Sequence, residues 1–146
     1  MATEIERQCE TIEACYEFTL SYAARGLPSN DGNDGGRLLR DHLAQAASAM
    51  RGLEEGCRDL LEREQLAPAG KCEAFFEVLK HDAERAVAAV DLVLAQPAIS
   101  SQLIDNLNAS IHLRALLADL FLVTEILETR QTQANAQATS ENSEAR

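Results

Sequence analysis

Three of the four cysteines come closest to forming a chemical site. Cys57 and Cys72 are nearly equidistant from the middle of a turn predicted at residues 65–70, so an antiparallel helical hairpin would place them at about the same height. Cys9 lies on the apolar stripe of the first predicted helix, within a few residues of that height. Three thiolates at one end of a bundle would suit Cu(I) or Zn²⁺, and two close thiols would suit a redox pair.

The ordinary role of such cysteines is packing, because a free cysteine is commonly buried and behaves as a small hydrophobic residue. The sequence contains no Cys-x-x-Cys spacing. We therefore favour cysteines that fill the core, and we expect no metal or cofactor. A soft-metal or redox-sensing site built from Cys9, Cys57 and Cys72 is the alternative hypothesis.

The carboxylates and the three histidines do not match a known catalytic or di-metal pattern. Ferritin-like centres need Glu-x-x-His on two helices, and that spacing is absent from the sequence. Glu73, Glu77 and His81 share a helical face that is expected to meet water, so a solvated charged surface is favoured over a cation site. His112 lies in an apolar segment and is expected to be packed. An enzyme is therefore not the favoured interpretation.

The elements that would position these side chains are helices, because apolar residues recur at alternating spacings of three and four. Thr3 and Glu6 form a capping box at the first helix, Pro97 ends the third, and Ser100 or Ser101 can cap the fourth. The four predicted helices span residues 4–25, 36–64, 70–96 and 100–131. The short second and third connections predict an all-α fold, an up-down-up-down antiparallel four-helix bundle.

Two segments lack an apolar stripe and are not expected to join the bundle. Residues 27–35 are rich in Gly, Asp and Asn and predict a flexible loop, whose spacing departs from that of a calcium-binding loop. Residues 132–146 are rich in Gln, Asn, Ser and Thr and predict a disordered tail. The sequence thus predicts one bundle domain, residues 1–131, followed by the tail.

The fourth predicted helix carries apolar residues on two faces, which is more than three neighbours in one bundle need to cover. The second helix carries two glycines one turn apart, each costing about 1 kcal/mol relative to alanine, so some compensating close contact is expected. Because two-fold pairs are the commonest soluble assembly, these features predict a homodimer. The candidate interface residues are Leu113, Leu117, Phe121 and Leu122 on the fourth helix, and Gly52 and Gly56 on the second.

Charge and hydropathy exclude several classes of partner. The 24 acidic residues outnumber the 13 basic ones and give a net charge of −11, whereas a nucleic-acid binder needs a basic surface. The same charge opposes binding to an anionic membrane, and we find no apolar run long enough to span one. The N-terminus lacks the features of a secretory signal, so a cytoplasmic protein with reduced thiols is expected. The sequence therefore favours a non-enzymatic module that self-associates and binds a partner protein.

Overall fold

The computed structural model describes residues 3–25 and 34–144, and these residues form five helices with no strand among them. The helices are α1 (Glu4–Ala24), α2 (Asp34–Glu64), α3 (Ala69–Leu94), α4 (Ser101–Asn108) and α5 (Ile111–Glu144). The predicted all-α class is confirmed. The loop predicted at 27–35 falls almost entirely outside the described residues.

Hydrogen bonds satisfy polar groups at the start of α1 and at the end of α3. The Thr3 Oγ1 accepts a hydrogen bond from the Glu6 N–H at 3.2 Å, and the Thr3 N–H donates to the Glu6 carboxylate at 3.2 Å, so the predicted capping box forms. At the far end of α3, the Arg40 guanidinium donates to the carbonyl oxygens of Leu94 at 3.1 Å and Gln96 at 2.8 Å. A cation in this position satisfies carbonyls that have no partner inside the helix.

The helices pack around one core in the order α1, α2, α3, α5, and α4 lies between α1 and α3. Arg40, near the start of α2, reaches the end of α3, so these two helices run antiparallel. Arg130 of α5 donates to the Glu64 carbonyl at the end of α2 at 3.0 Å. Apart from α2, the main neighbour of α1 is α4, so α1 and α5 make only slight contact.

The prediction of one continuous fourth helix over residues 100–131 is wrong, because the chain turns between Asn108 and Ile111. The Ala109 and Ser110 N–H groups donate to carbonyls in the last turn of α4, and the Ser110 carbonyl then accepts the Arg114 N–H at 3.1 Å. Asn and Ser favour such turns because their side chains compete with helical hydrogen bonds. The turn lets α4 bury Ile104 and Leu107 independently of the stripe that α5 buries.

The core contains an apolar stripe from each of the long helices. Every member of the α2 stripe is at most 4 % exposed; these residues are Leu39, Leu43, Ala46, Met50, Leu53, Cys57 and Leu60. Tyr22 of α1 is 2 % exposed and donates its hydroxyl hydrogen to the Ile99 carbonyl at 3.3 Å. Ser100 caps α4 by accepting the Leu103 N–H at 3.1 Å.

The disorder predicted for residues 132–146 is not confirmed. Helix α5 continues through the tail as far as Glu144, and every side chain from residue 131 to residue 143 is exposed. At 1.5 Å per residue, this exposed part of the helix is about 20 Å long. Alanine and glutamine favour the helical backbone, so the missing apolar stripe removes packing partners without forcing the chain out of the helix.

Candidate functional site

The most prominent surface feature is an apolar stripe on the side of α5 that faces away from the core. We call it the outer face and define it by Ile111, Ala118, Leu122 and Ile126, which recur at helical spacing. Ile111 is 74 % exposed, Leu122 is 50 % exposed and Ile126 is 49 % exposed. Large apolar side chains grouped on one side of a helix are a common mark of an interaction surface.

The six residues predicted for the interface do not share one surface. Phe121 is 51 % exposed and lies at the edge of the outer face. Leu113 and Leu117 are 6 % and 5 % exposed and belong to the core stripe of α5. Only the exposed pair, Phe121 and Leu122, is available to a partner of the folded chain.

The glycines on α2 have a partner within the chain. The Gln8 side chain of α1 lies across Gly52 and Gly56, and a Cβ added at either glycine would clash with its amide. Gln8 also donates to the Glu4 carboxylate at 3.4 Å. The close contact that the glycines were expected to make is therefore a contact between α1 and α2, and Gly56 is buried in it.

Of the four cysteines, Cys9, Cys15 and Cys57 are buried, and only the first and last of these three belong to the proposed thiol site. Cys9 and Cys57 are 2 % and 4 % exposed, whereas Cys72 is only partly buried. Burial raises the pKa of the Cys9 thiol to about 12, with Glu13 and Cys57 adding to the effect. Burial likewise raises the pKa of the Cys57 thiol to about 12, with a contribution from Glu54. Thiols held in the neutral form are poor metal ligands and poor nucleophiles.

A carboxyl pair, which the sequence argument did not single out, joins α3 to α5. Asp119 of α5 lies beside Asp82 of α3. Burial, followed by the neighbouring Asp82 carboxyl, raises the pKa of Asp119 to about 7. The Asp119 Oδ2 is buried and has no hydrogen-bond partner among the described residues. Asp119 was visible in the sequence as one of few polar residues within an apolar run, but its partner was not.

A second acidic group lies where α1 and α5 separate. Glu6, Glu10 and Glu13 of α1 line a cleft with Glu128 of α5, and Cys9 also lines it. Burial and the neighbouring Glu17 and Glu10 raise the pKa of Glu13. The cleft would repel an anionic ligand.

The histidines occupy three different environments. His42 stacks on Phe18 with ring centroids 4.3 Å apart. His81 lies between Glu77 and Glu84 on the exposed side of α3, at 3.7 Å and 3.6 Å. The prediction of a packed His112 is wrong, since this side chain is exposed in the first turn of α5. The three rings thus form no common centre.

Searches for a metal site, a membrane span and known relatives all gave negative results. Within residues 3–25 and 34–144, no group of three or more His, Cys, Asp or Glu side chains is arranged to hold a metal ion. In the same ranges, no helix has the length and apolar character needed to cross a bilayer. No protein-family model, curated protein or solved structure matches the chain. The proposed function therefore depends on the surface and the core of this chain.

Proposed function

We propose that the protein is a non-enzymatic, acidic helical bundle that acts through self-association and protein–protein interaction, with the outer face of α5 joining two copies. In this proposal α4 and α5 together form the fourth leg of an up-down-up-down bundle, and the protein works in the reducing cytoplasm. The exposed apolar stripe of Ile111, Leu122 and Ile126 carries the proposal, because nothing in the described chain covers it.

The charges beside the outer face favour a second copy of the chain as the occupant. Arg114 and Glu125 are both exposed and lie on the same flank of α5, eleven residues or about three turns apart. If two α5 helices pair antiparallel about a two-fold axis near residues 119–120, Arg114 of each copy faces Glu125 of the other. Ala118 then lies opposite Leu122, so that a small residue meets a large one.

The neighbouring surface of α3 can enlarge this contact. Asp82 lies beside Asp119, and α3 runs antiparallel to α5, so Val78 lies level with the turn of α5 that carries Leu122. Val78 is itself 49 % exposed. A single pair of helices buries little area, and a stable interface needs roughly 1,200 Å² or more, so the contribution of α3 matters.

The first experiment compares two matched leucine substitutions. Leu122→Glu places a charge at the centre of the proposed interface and should raise the dimer dissociation constant at least tenfold in sedimentation or light scattering. Leu38→Glu is the control, because Leu38 is 48 % exposed near the start of α2, at the opposite end of that helix from the Glu64 carbonyl that Arg130 of α5 contacts. The control should keep the wild-type mass. A wild-type mass of 15.9 kDa at micromolar concentration would refute self-association.

A charge exchange tests the pairing geometry. Arg114→Glu alone and Glu125→Arg alone should each weaken the dimer, because each places like charges opposite one another twice. The double variant restores both pairs and should recover most of the affinity. If the double variant dimerises more weakly than either single variant, the antiparallel register is refuted. Self-association itself is tested separately by Leu122→Glu.

A further inference from the structure

The carboxyl pair of Asp82 and Asp119 lies beside the outer face of α5. Asp119, Leu122 and Ile126 follow one another at spacings of three and four, so their side chains lie on the same side of the helix. On α3, Val78 precedes Asp82 by one helical turn, and Val78 and Leu122 are each about half exposed. A surface that covers Val78 and Leu122 therefore also covers the space beside the carboxyl pair.

No cation neutralises this pair within the described part of the chain. The Asp119 Oδ2 is buried and has no hydrogen-bond partner there, and neither carboxyl forms an ion pair with the described residues. Arg85, one turn beyond Asp82 on α3, is exposed and forms no such pair either. Water and cations stabilise the charged form of a carboxyl, so a covering surface that removes the water favours the protonated form.

Two histidines and an arginine complete the charged surroundings on α3 and α5. His81 adjoins Asp82 in the sequence and is exposed on α3. His112 lies about two turns before Asp119 and is exposed on α5, and Arg114 follows it on the same helix. Because a histidine can change its charge near neutral pH, the two histidines need their own control variants.

The other two helices that contact α5 place no charge against Asp119. The only ionisable residue of α4 is Asp105, which is exposed. Glutamates of α1 meet α5 in the cleft that Thr124 and Glu128 line. Glu128 follows Asp119 by about two and a half turns and so lies on the opposite side of α5.

We propose that the carboxyl pair of Asp82 and Asp119 regulates self-association by taking up a proton when two copies pair through the outer face. The inference rests on the proposed function, since it requires a second copy at this surface. Burial and the neighbouring Asp82 carboxyl already raise the pKa of Asp119 to about 7 in the single chain. Below that pH the free and the paired chain both hold the proton, and the affinity is constant. Above it each chain must bind a proton from the solvent on pairing, so the dimer weakens as pH rises.

Sedimentation of the full-length chain at pH 6 and pH 8.5, at one ionic strength, tests this linkage. The wild-type dissociation constant should be at least about tenfold larger at pH 8.5, since a pKa difference of one unit corresponds to a factor of ten. Asp119→Asn keeps the size of the side chain without its charge, so its dimer should be equally tight at both pH values. The controls Asp105→Asn, His81→Gln and His112→Gln should keep the wild-type pH dependence.

The outcomes separate this inference from the proposed function. A wild-type dimer with the same dissociation constant at both pH values would overturn the inference and leave self-association intact. A wild-type monomer at both pH values would overturn both. The inference also fails if His81→Gln or His112→Gln, rather than Asp119→Asn, removes the pH dependence.

Calorimetry of the unaltered protein covers the case in which Asp119→Asn does not fold. When the wild-type dimer is diluted at pH 8, its dissociation should release protons to the buffer. The heat of dissociation should therefore differ between two buffers of different ionisation enthalpy, in proportion to that difference. Equal heats in the two buffers would overturn the inference without any substitution.

Discussion

Replacing Gly52 with alanine should stabilise the protein only when the Gln8 side chain has been shortened. Of the described atoms outside its own helix, only those of Gln8 lie within 4 Å of a Cβ built at Gly52, with Nε2 at 2.7 Å and Cδ at 3.8 Å. The far end of a flexible side chain can move, so the clash is removable. An alanine in place of a glycine within a helix gains about 1 kcal/mol of helix propensity.

The magnitude follows from what Gln8 loses when it moves. In the wild-type background, Gly52→Ala displaces the Gln8 amide and breaks its bond of 3.4 Å to Glu4, a partly buried interaction worth about 0.5 kcal/mol. Lost packing removes a similar amount, so the net gain should be near zero. In a Gln8→Ala background nothing has to move, and Gly52→Ala should gain the full amount of about 1 kcal/mol. The coupling between the two sites is therefore about 1 kcal/mol.

Urea unfolding followed by circular dichroism measures this cycle. Gly70→Ala is the matched control, because no described atom outside its surroundings in the chain lies within 4 Å of a Cβ built there. Its effect should be the same with glutamine or alanine at position 8. A loss of more than about 1 kcal/mol for Gly52→Ala in the Gln8→Ala background would refute the reasoning. It would mean that the α1 backbone or a second copy, rather than Gln8, requires the glycine.

The remaining predictions concern the carboxyl pair and the tail. Because the pKa of Asp119 is raised in the folded protein, this carboxyl contributes stability that is fully present below its unfolded pKa of 3.8. That contribution is lost as pH rises through its folded pKa of about 7. In urea unfolding, the free energy of unfolding of Asp119→Asn minus that of the wild type should therefore be about 1 kcal/mol larger at pH 8 than at pH 5. This figure is reduced from the full linkage because the carboxyl is only partly buried. An equal difference at both pH values would show that Asp119 titrates at its ordinary pKa. Deleting residues 132–146 should lower the helical signal in circular dichroism yet change the free energy of unfolding by less than about 0.5 kcal/mol, since those described side chains are all exposed; a loss above about 1 kcal/mol would show that the tail is docked.

Much of the helical framework follows from local sequence. The capping box of Thr3 and Glu6 and the Ser100 cap depend on residues three positions apart, so their hydrogen bonds can be predicted without knowledge of the fold. The buried stripe of α2 follows from the helical period in the same way, because one side of a long amphipathic helix must meet a core. These features require only neighbours along the chain.

The candidate sites required the tertiary structure. Sequence alone showed two apolar stripes in the last long segment, but it did not determine which one would be buried. The stripe containing Leu113 and Leu117 faces the core and the one containing Leu122 faces outward, because α4 occupies the position beside α1 that a continuous helix would have filled. The partner of Gly52 and the carboxyl neighbour of Asp119 could not be predicted for the same reason. Each depends on groups that are distant along the chain and meet only when the helices have packed, so their positions depend on the arrangement of the helices and not on local spacing.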